Sequence, residues 1–401
     1  MRVLHLVENY DPSIGGMQTT VKQLSERLAS VCDIHVATSF HLDRKESVKN
    51  GVKLHQFNIG GNEVEGYVGS DKEISRFIDF LKNGNFDIIT VFAAQTWTSD
   101  IFMSYMSEIP GKKVFFPTGF SALYEEKYKD YFLKMKNLLN KFHLLIFLSN
   151  EYQDIRFALK SGITNYKVIR NAVDEREFSD MALHKSSTPL FFHLGSYTGF
   201  KGHEEAIEIF SRINVANATL VFVGDEYLLP NWTLKKMIKR VLGRPTTLKQ
   251  YLEATSQKLN SSSEFKKLNK KIEFVQNDRK LVLEIFSRAN YFLFPSRIEC
   301  SPLVIFEAVA SGTYVFSSDV GNSSEIFEWL PGSGEILPTF KDEIGFSNVD
   351  ILKSAGLIND FLSRNKSLDL RDSRNKCLQY YTWKNFTESF LEEYRLLGRA
   401  L

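Results

Sequence analysis

Short runs rich in β-branched and aromatic residues alternate with longer amphipathic stretches, and this alternation runs along the chain twice. In the first half, Arg2–Val7, Asp33–Ala37, Phe86–Val91, Lys113–Phe116 and Leu144–Leu148 read as strands. Met17–Ser30 reads as a helix, because Val21, Leu24 and Leu28 recur at three- and four-residue spacing on one face. In the second half, Leu190–Leu194, Thr219–Val223, Ile272–Val275, Tyr291–Phe294 and Thr313–Phe316 read as strands. Such alternation predicts a parallel sheet covered by helices, an α/β fold, and its doubling predicts two Rossmann-like doubly wound domains. The 401 residues suffice for both. The polar stretch Glu175–Thr188, with a Ser-Ser-Thr cluster before Pro189, is the expected linker. The domains are therefore expected at 1–175 and 186–383.

The charge balance bounds the partners. Fifty Lys and Arg stand against 48 Asp and Glu, a net charge of +2, so the total predicts no nucleic-acid binding. Any positive site must be local. Cys32, Cys300 and Cys377 are far apart and predict neither a zinc site nor a disulfide framework. The N-terminus MRVLHLVENY is too short in its apolar run for a signal peptide, and no apolar stretch of about 20 residues occurs. A cytoplasmic protein is expected, with contact at the inner face of the cell membrane left open.

One segment is longer than its neighbours require. Between the strands Thr219–Val223 and Ile272–Val275 lies more chain than one crossover helix needs, so an insertion is expected over about 226–270. In its basic run, Trp232, Leu234, Met237, Ile238 and Val241 can share a face, as a membrane-surface element or as a packed extra helix. Tyr124–Leu145 offers the same two readings. Tyr128, Tyr131, Phe132, Met135, Leu138, Leu139 and Phe142 form an apolar stripe beside Lys127, Lys134, Lys136 and Lys141.

Three places carry candidate chemistry. Gly15-Gly16 follows the first strand and precedes the first helix, where ligands of open parallel sheets bind. There the backbone can approach a phosphate beside free helix N–H groups, or simply turn. The segment from Gly195 and Ser196 to Lys201 and Gly202 occupies the same place in the second half. Lys201 there is either a cation for a diphosphate or an ordinary surface lysine. The third place is Pro295–Gly312. Ser301 can cap a helix, Pro302 suits its first position, and Leu303 and Val304 follow with free N–H groups. Glu299 precedes this helix, and Glu307 lies within it among apolar residues. A buried carboxylate needs partners: Glu307 can take two ribose hydroxyls or pair with a structural Arg or Lys.

Taken in order along the chain, these segments resemble the retaining glycosyltransferases of family four, which have the two-domain GT-B architecture. The resemblance rests on Gly15-Gly16, Ser149, Ile169–Asp174, the Gly195 to Gly202 loop, Gly321-Asn322 with Glu325, and Tyr381-Thr382-Trp383. Its most specific part is Glu299 and Glu307 followed by Ala-Ser-Gly. It implies two domains facing a cleft, with the carboxyl-terminal helix, 384–401, crossing back to the first domain. It implies a nucleotide-diphosphate sugar as donor, bound mainly by the second domain, and a glycan or lipid-linked acceptor bound mainly by the first. Lys201 would hold the diphosphate, Glu299 the transferred sugar and Glu307 the ribose. Gly15, Gly16 and the amides after Ser301 would complete the phosphate cradle, with no metal and no further cofactor.

Two positions depart from the family pattern. Ser196 stands where an Arg is usual, and Pro117-Thr118-Gly119 stands where a His faces the sugar. Thr118 could donate a hydrogen bond there, and His193 or His203 could supply a missing charge. These departures keep open a catalytically weak or inactive scaffold. A nucleotide-sugar epimerase of the same fold is the other alternative.

Overall fold

The computed structural model describes residues 1–226, 246–343, 345–364 and 368–399. The basic run with Trp232, Leu234, Met237, Ile238 and Val241 lies outside them. The chain divides into two compact units, Met1–Ala172 with Tyr381–Leu401, and Val173–Tyr380.

The first unit is built on an eight-stranded sheet. Its strands are β1 (Arg2–Leu6), β2 (Asp33–Ser39), β3 (Val48–Lys49), β4 (Val52–Phe57), β5 (Ile88–Phe92), β6 (Lys112–Phe116), β7 (Leu144–Phe147) and β8 (Tyr166–Val168). The order is β8-β7-β6-β5-β1-β2-β4-β3, all parallel except the short edge strand β3. Every residue of β5 and β7 is buried, as expected of strands covered on both faces. Sequence periodicity missed β4, whose Lys53 and His55 interrupt the apolar pattern near the sheet edge.

Helix α1 (Gly16–Leu28) follows β1 and buries Val21, Leu24 and Leu28, the face that their spacing predicted. Helix α2 (Lys129–Leu139) buries Tyr131, Phe132, Met135 and Leu139. The stripe considered for lipid contact is therefore core. Two of its lysines are held by carboxylates, Lys127 by Glu65 at 2.5 Å and Lys134 by Glu63.

The carboxyl-terminal helix, Trp383–Arg399, belongs to this unit. It buries Trp383, Phe386, Phe390 and Tyr394. The Tyr394 hydroxyl lies 3.1 Å from His5 Nε2 and 2.6 Å from Thr90 Oγ1, fixing the helix to β1 and β5.

The second unit has a six-stranded, all-parallel sheet. Its strands are β9 (Leu190–Leu194), β10 (Thr219–Val223), β11 (Lys271–Val275), β12 (Tyr291–Phe294), β13 (Tyr314–Ser317) and β14 (Gly334–Ile336), in the order β11-β10-β9-β12-β13-β14. The strand order reverses between β9 and β12, so the loops after these two strands meet at the switch point where ligands bind in such sheets. The described part of the insertion forms two helices, Leu248–Ser261 and Ser263–Leu268. Phe265 and Leu252 pack into the core of this unit.

The expected linker is corrected. Glu175–Thr188 lies within the second unit. Phe178 is fully buried, and Lys185 donates hydrogen bonds to the carbonyls of Phe286 and Ala289 and to Thr313 Oγ1. Polar composition suggested a free connection, but these polar groups are hydrogen-bonded to the second unit. The described residues include no helix long and apolar enough to cross a membrane.

Candidate functional site

The loop after β9 is shaped by backbone contact. Gly202 has φ 74°, and a Cβ on it would lie 2.0 Å from the Pro295 carbonyl oxygen. A Cβ on Gly224, the residue after β10, would lie 2.0 Å from the Gly195 carbonyl oxygen. Only glycine fits at either place. The segment from Gly195 to Gly202 is thereby pressed against the ends of β10 and β12, with Ser196 half-buried at its start. Helix α3 (His203–Arg212) begins directly afterwards.

This packing places Lys201 beside the loop after β12. Lys201 Nζ lies 2.6 Å from Glu299 Oε1, and Ser296 Oγ donates to the same oxygen at 3.0 Å. Both side chains of the ion pair remain partly accessible, 29% for Lys201 and 15% for Glu299. Two candidates chosen from separate segments are thus in contact.

Two histidines beneath the loop are fully buried. His203 Nε2 lies 3.0 Å from the Gly195 carbonyl oxygen, and His193 Nδ1 lies 2.8 Å from that of Leu293. Burial pushes His203 down to about 4 and holds His193 well below its ordinary value. Both are neutral at physiological pH. The expectation that they replace a missing cation is therefore corrected: His203 braces the loop at Gly195, and His193 ties β9 to β12.

Helix α4 (Leu303–Ala310) follows the Glu299 loop. Here the capping expectation is also corrected. Pro302 is the N-cap, no side chain caps the helix, and Ser301 lies one residue outside it. Pro302 cannot donate a hydrogen bond and its ψ of 112° is extended, so the first helical residue is Leu303. Leu303 and Val304 are half-exposed while Ile305, Ala308 and Val309 are buried, so the amino end of the helix is the accessible one.

Glu307 comes from the same helix and is not alone. Its Oε1 accepts from Arg279 Nη2 at 2.7 Å, and Arg279 is shared with Glu177. Burial pushes the Glu307 carboxyl up, and the Arg279 guanidinium opposes that shift. Both readings of Glu307 therefore have support: it has a structural cation and stays partly accessible at 16%. Sequence analysis missed Arg279 and Glu177, because neither lies in a recognisable motif. Gly224 could have been noticed as the glycine that ends a strand.

The remaining candidates lie in the first unit. Gly15 is the N-cap of α1 and Gly16 its first residue. Thr118 and Gly119 follow β6 with φ values of 58° and 107°. Gly119 N–H donates to Asp154 Oδ2 at 2.9 Å, and Gln153 Nε2 donates to the Gly119 carbonyl at 2.8 Å. Burial pushes the Asp154 carboxyl up to about 6. Ala93 and Gln95, in the loop after the adjacent β5, also have positive φ, 64° and 61°. Strained non-glycine residues thus gather at the carboxyl end of this sheet, the side where a parallel sheet takes ligands.

Fold and site define a class: two parallel α/β units, the second with a glycine-rich loop, a cation and an accessible helix N-terminus at its switch point. That is the GT-B glycosyltransferase fold. Residues 174–338, which lie within the second unit, match the family model for glycosyl transferases group 1. A search of curated proteins finds no match. Among solved structures, sucrose-phosphate synthase from Thermosynechococcus elongatus is similar at TM-score 0.74 and 16% identity, covering 100% of this chain and 99% of that one. HepE of Anabaena, in complex with UDP and glucose, aligns at TM-score 0.69 and 13% identity over 98% and 99% of the two chains. WaaG, a glycosyltransferase involved in lipopolysaccharide biosynthesis, aligns at TM-score 0.62 and 16% identity over 96% and 98%.

Proposed function

We propose that this protein is a retaining, metal-independent glycosyltransferase. It moves a sugar from a nucleotide-diphosphate sugar to a glycan or lipid-linked acceptor, in the assembly of a surface polysaccharide or glycolipid. The observation that carries this reading is the Lys201–Glu299 pair, held at 2.6 Å at the sheet's switch point with the amino end of α4 in the same loop.

In this reading Lys201 exchanges Glu299 for the donor diphosphate, and the backbone N–H groups of Leu303 and Val304 donate hydrogen bonds to its oxygens. Glu299, released from Lys201, takes hydroxyls of the transferred sugar, and Glu307 takes the ribose hydroxyls. The acceptor hydroxyl attacks the anomeric carbon on the face that the phosphate leaves. The bond to the phosphate oxygen breaks, and that oxygen receives the acceptor proton. Fixed N–H dipoles and one ammonium stabilise the leaving charge, which a metal would otherwise do. Thr118 and Gly119 lie on the acceptor side. The UDP and glucose held by HepE and the lipopolysaccharide role of WaaG support the donor and acceptor classes. A lipid-linked acceptor would bring the protein to the inner face of the cell membrane.

A weak or inactive binding protein is the second reading, favoured by Ser196 and by the neutrality of His193 and His203, which leave Lys201 with little support. Titration with nucleoside diphosphates and their sugar conjugates, together with a donor-hydrolysis assay, tests both. Binding lost in Glu307→Ala and Lys201→Ala, with turnover that survives EDTA, is the expected result. Donor binding without any turnover would favour the second reading, and metal-reversible loss in EDTA would overturn the mechanism.

A further inference from the structure

Arg279 has no part in the reaction as described, yet it joins three segments of the second unit. It is the first residue of the helix Arg279–Arg288, whose N-cap Asp278 accepts from the Leu281 N–H at 3.0 Å. Its Nε donates to Glu177 Oε1 at 3.1 Å, and its Nη2 reaches both Glu177 Oε2 and Glu307 Oε1. Glu177 belongs to the short helix Glu175–Phe178, and Glu307 to α4. The guanidinium carbon also sits 5.8 Å from the centre of the Phe178 ring.

We infer that Arg279 is a positioning residue for the donor ribose, holding Glu307 by one oxygen so that the carboxylate presents its remaining lone pairs to a vicinal diol. This rests on the ribose role proposed for Glu307.

The charge count supports it. One guanidinium faces two carboxylates, so the group keeps a net negative charge that hydroxyl donors can satisfy. A carboxylate oxygen has two lone pairs, so Oε1 can keep Arg279 while the carboxylate accepts from a sugar. The charged groups acting on Glu307 are Arg279, which favours its ionised form, and Glu177, which opposes it. Without Arg279, burial would favour the protonated carboxyl, which gives up acceptor sites. A planar fork is needed because two carboxylates must be bridged from one side chain, which an ammonium does poorly.

The test is calorimetry with UDP, GDP and ADP, followed by the 2′,3′-dideoxy counterpart of whichever binds. The proteins are the wild type, Arg279→Gln, Arg279→Lys and Glu307→Gln, each checked by melting. Arg279→Gln should weaken the ribonucleotide about tenfold and leave the dideoxynucleotide unchanged. Arg279→Lys should lose about threefold, again only with the ribonucleotide, and carries the test if Arg279→Gln does not fold. Equal losses with both nucleotides, or no loss, would overturn the role of Arg279. If Glu307→Gln weakens binding while the Arg279 variants do not, Arg279 alone is misassigned. If Glu307→Gln changes nothing, or no nucleotide binds the folded wild type, the ribose reading itself fails and this inference falls with it.

Discussion

Two loops occupy the same topological place, one after the first strand of each sheet, and they are held in opposite ways. The loop after β1 is clamped from outside by a side chain. Arg44 Nε donates to the Asp11 carbonyl at 2.7 Å, Nη2 to that of Tyr10 at 2.7 Å, and Nη1 to that of Ser39 at 2.8 Å. Asp11 is in turn paired with Lys22 and Lys49. The loop after β9 is held from within, by glycines that let backbone touch backbone and by His203 beneath it. The first arrangement uses cations to fix the loop. The second needs none for that purpose, which leaves Lys201 with a single carboxylate partner, Glu299, and partial access to a ligand. A loop built by packing can present a charge that a loop built by charges has already committed.

The contrast can be broken most directly at its glycines. Gly202→Ala should cost about 4 kcal/mol or more, because its Cβ would meet the Pro295 backbone at 2.0 Å with φ at 74°. Gly15→Ala should cost less than about 1 kcal/mol. Its φ of 163° is extended, and its Cβ would meet only the Gln18 side-chain end at 2.4 Å, which can move. Comparable melting temperatures for the two variants would undo the contrast.

Next in size is Arg44→Ala, expected to destabilise the first unit by about 3 kcal/mol, since one buried and two part-buried carbonyls lose their donor. Denaturant unfolding measures this. A change under about 0.5 kcal/mol would mean that water replaces the clamp.

Lys201→Ala should do the reverse, altering stability by less than about 1 kcal/mol while lowering donor kcat/KM about a hundredfold. Steady-state kinetics beside a melting curve decides it. A stability loss as large as that of Arg44→Ala would make Lys201 another clamp.

The smallest effect concerns acid. Burial pushes His5 down to about 3 and His55 to about 4 in the first unit, and His203 to about 4 in the second. Each folded value lies below the unfolded value of roughly 6.5, so the unfolded chain binds protons that the folded chain refuses. Stability from this source is complete above about pH 6.5 and is lost as pH falls toward 4. The melting temperature should fall across that window, with a shallower slope in His203→Gln. An unchanged slope in that variant would show that His203 is not among the groups that drive acid unfolding.

Much of this architecture was legible beforehand. Leu190–Leu194, Thr219–Val223 and Tyr291–Phe294 have the bounds read from their apolar runs, because strands buried on both faces leave an uninterrupted signature. The strand Val52–Phe57 was not legible, since it lies next to the sheet edge and Lys53, His55 and Gln56 break its apolar run. At the candidate site, Lys201, Glu299 and Glu307 stood out as charged residues in glycine-rich or apolar surroundings. Arg279, Glu177 and Arg44 did not, because each lies in ordinary polar sequence and acquires its role from partners distant along the chain.

The sequence by itself determined the doubled α/β plan, since hydrophobic periodicity and the position of glycines are local properties that each segment carries alone. Tertiary structure alone decided which charges meet. Lys201 finds Glu299, and Arg279 finds Glu177 and Glu307, only after strands far apart in the chain are laid side by side. Ion pairing depends on distance in space and on burial, and neither is written in the spacing of residues along a chain.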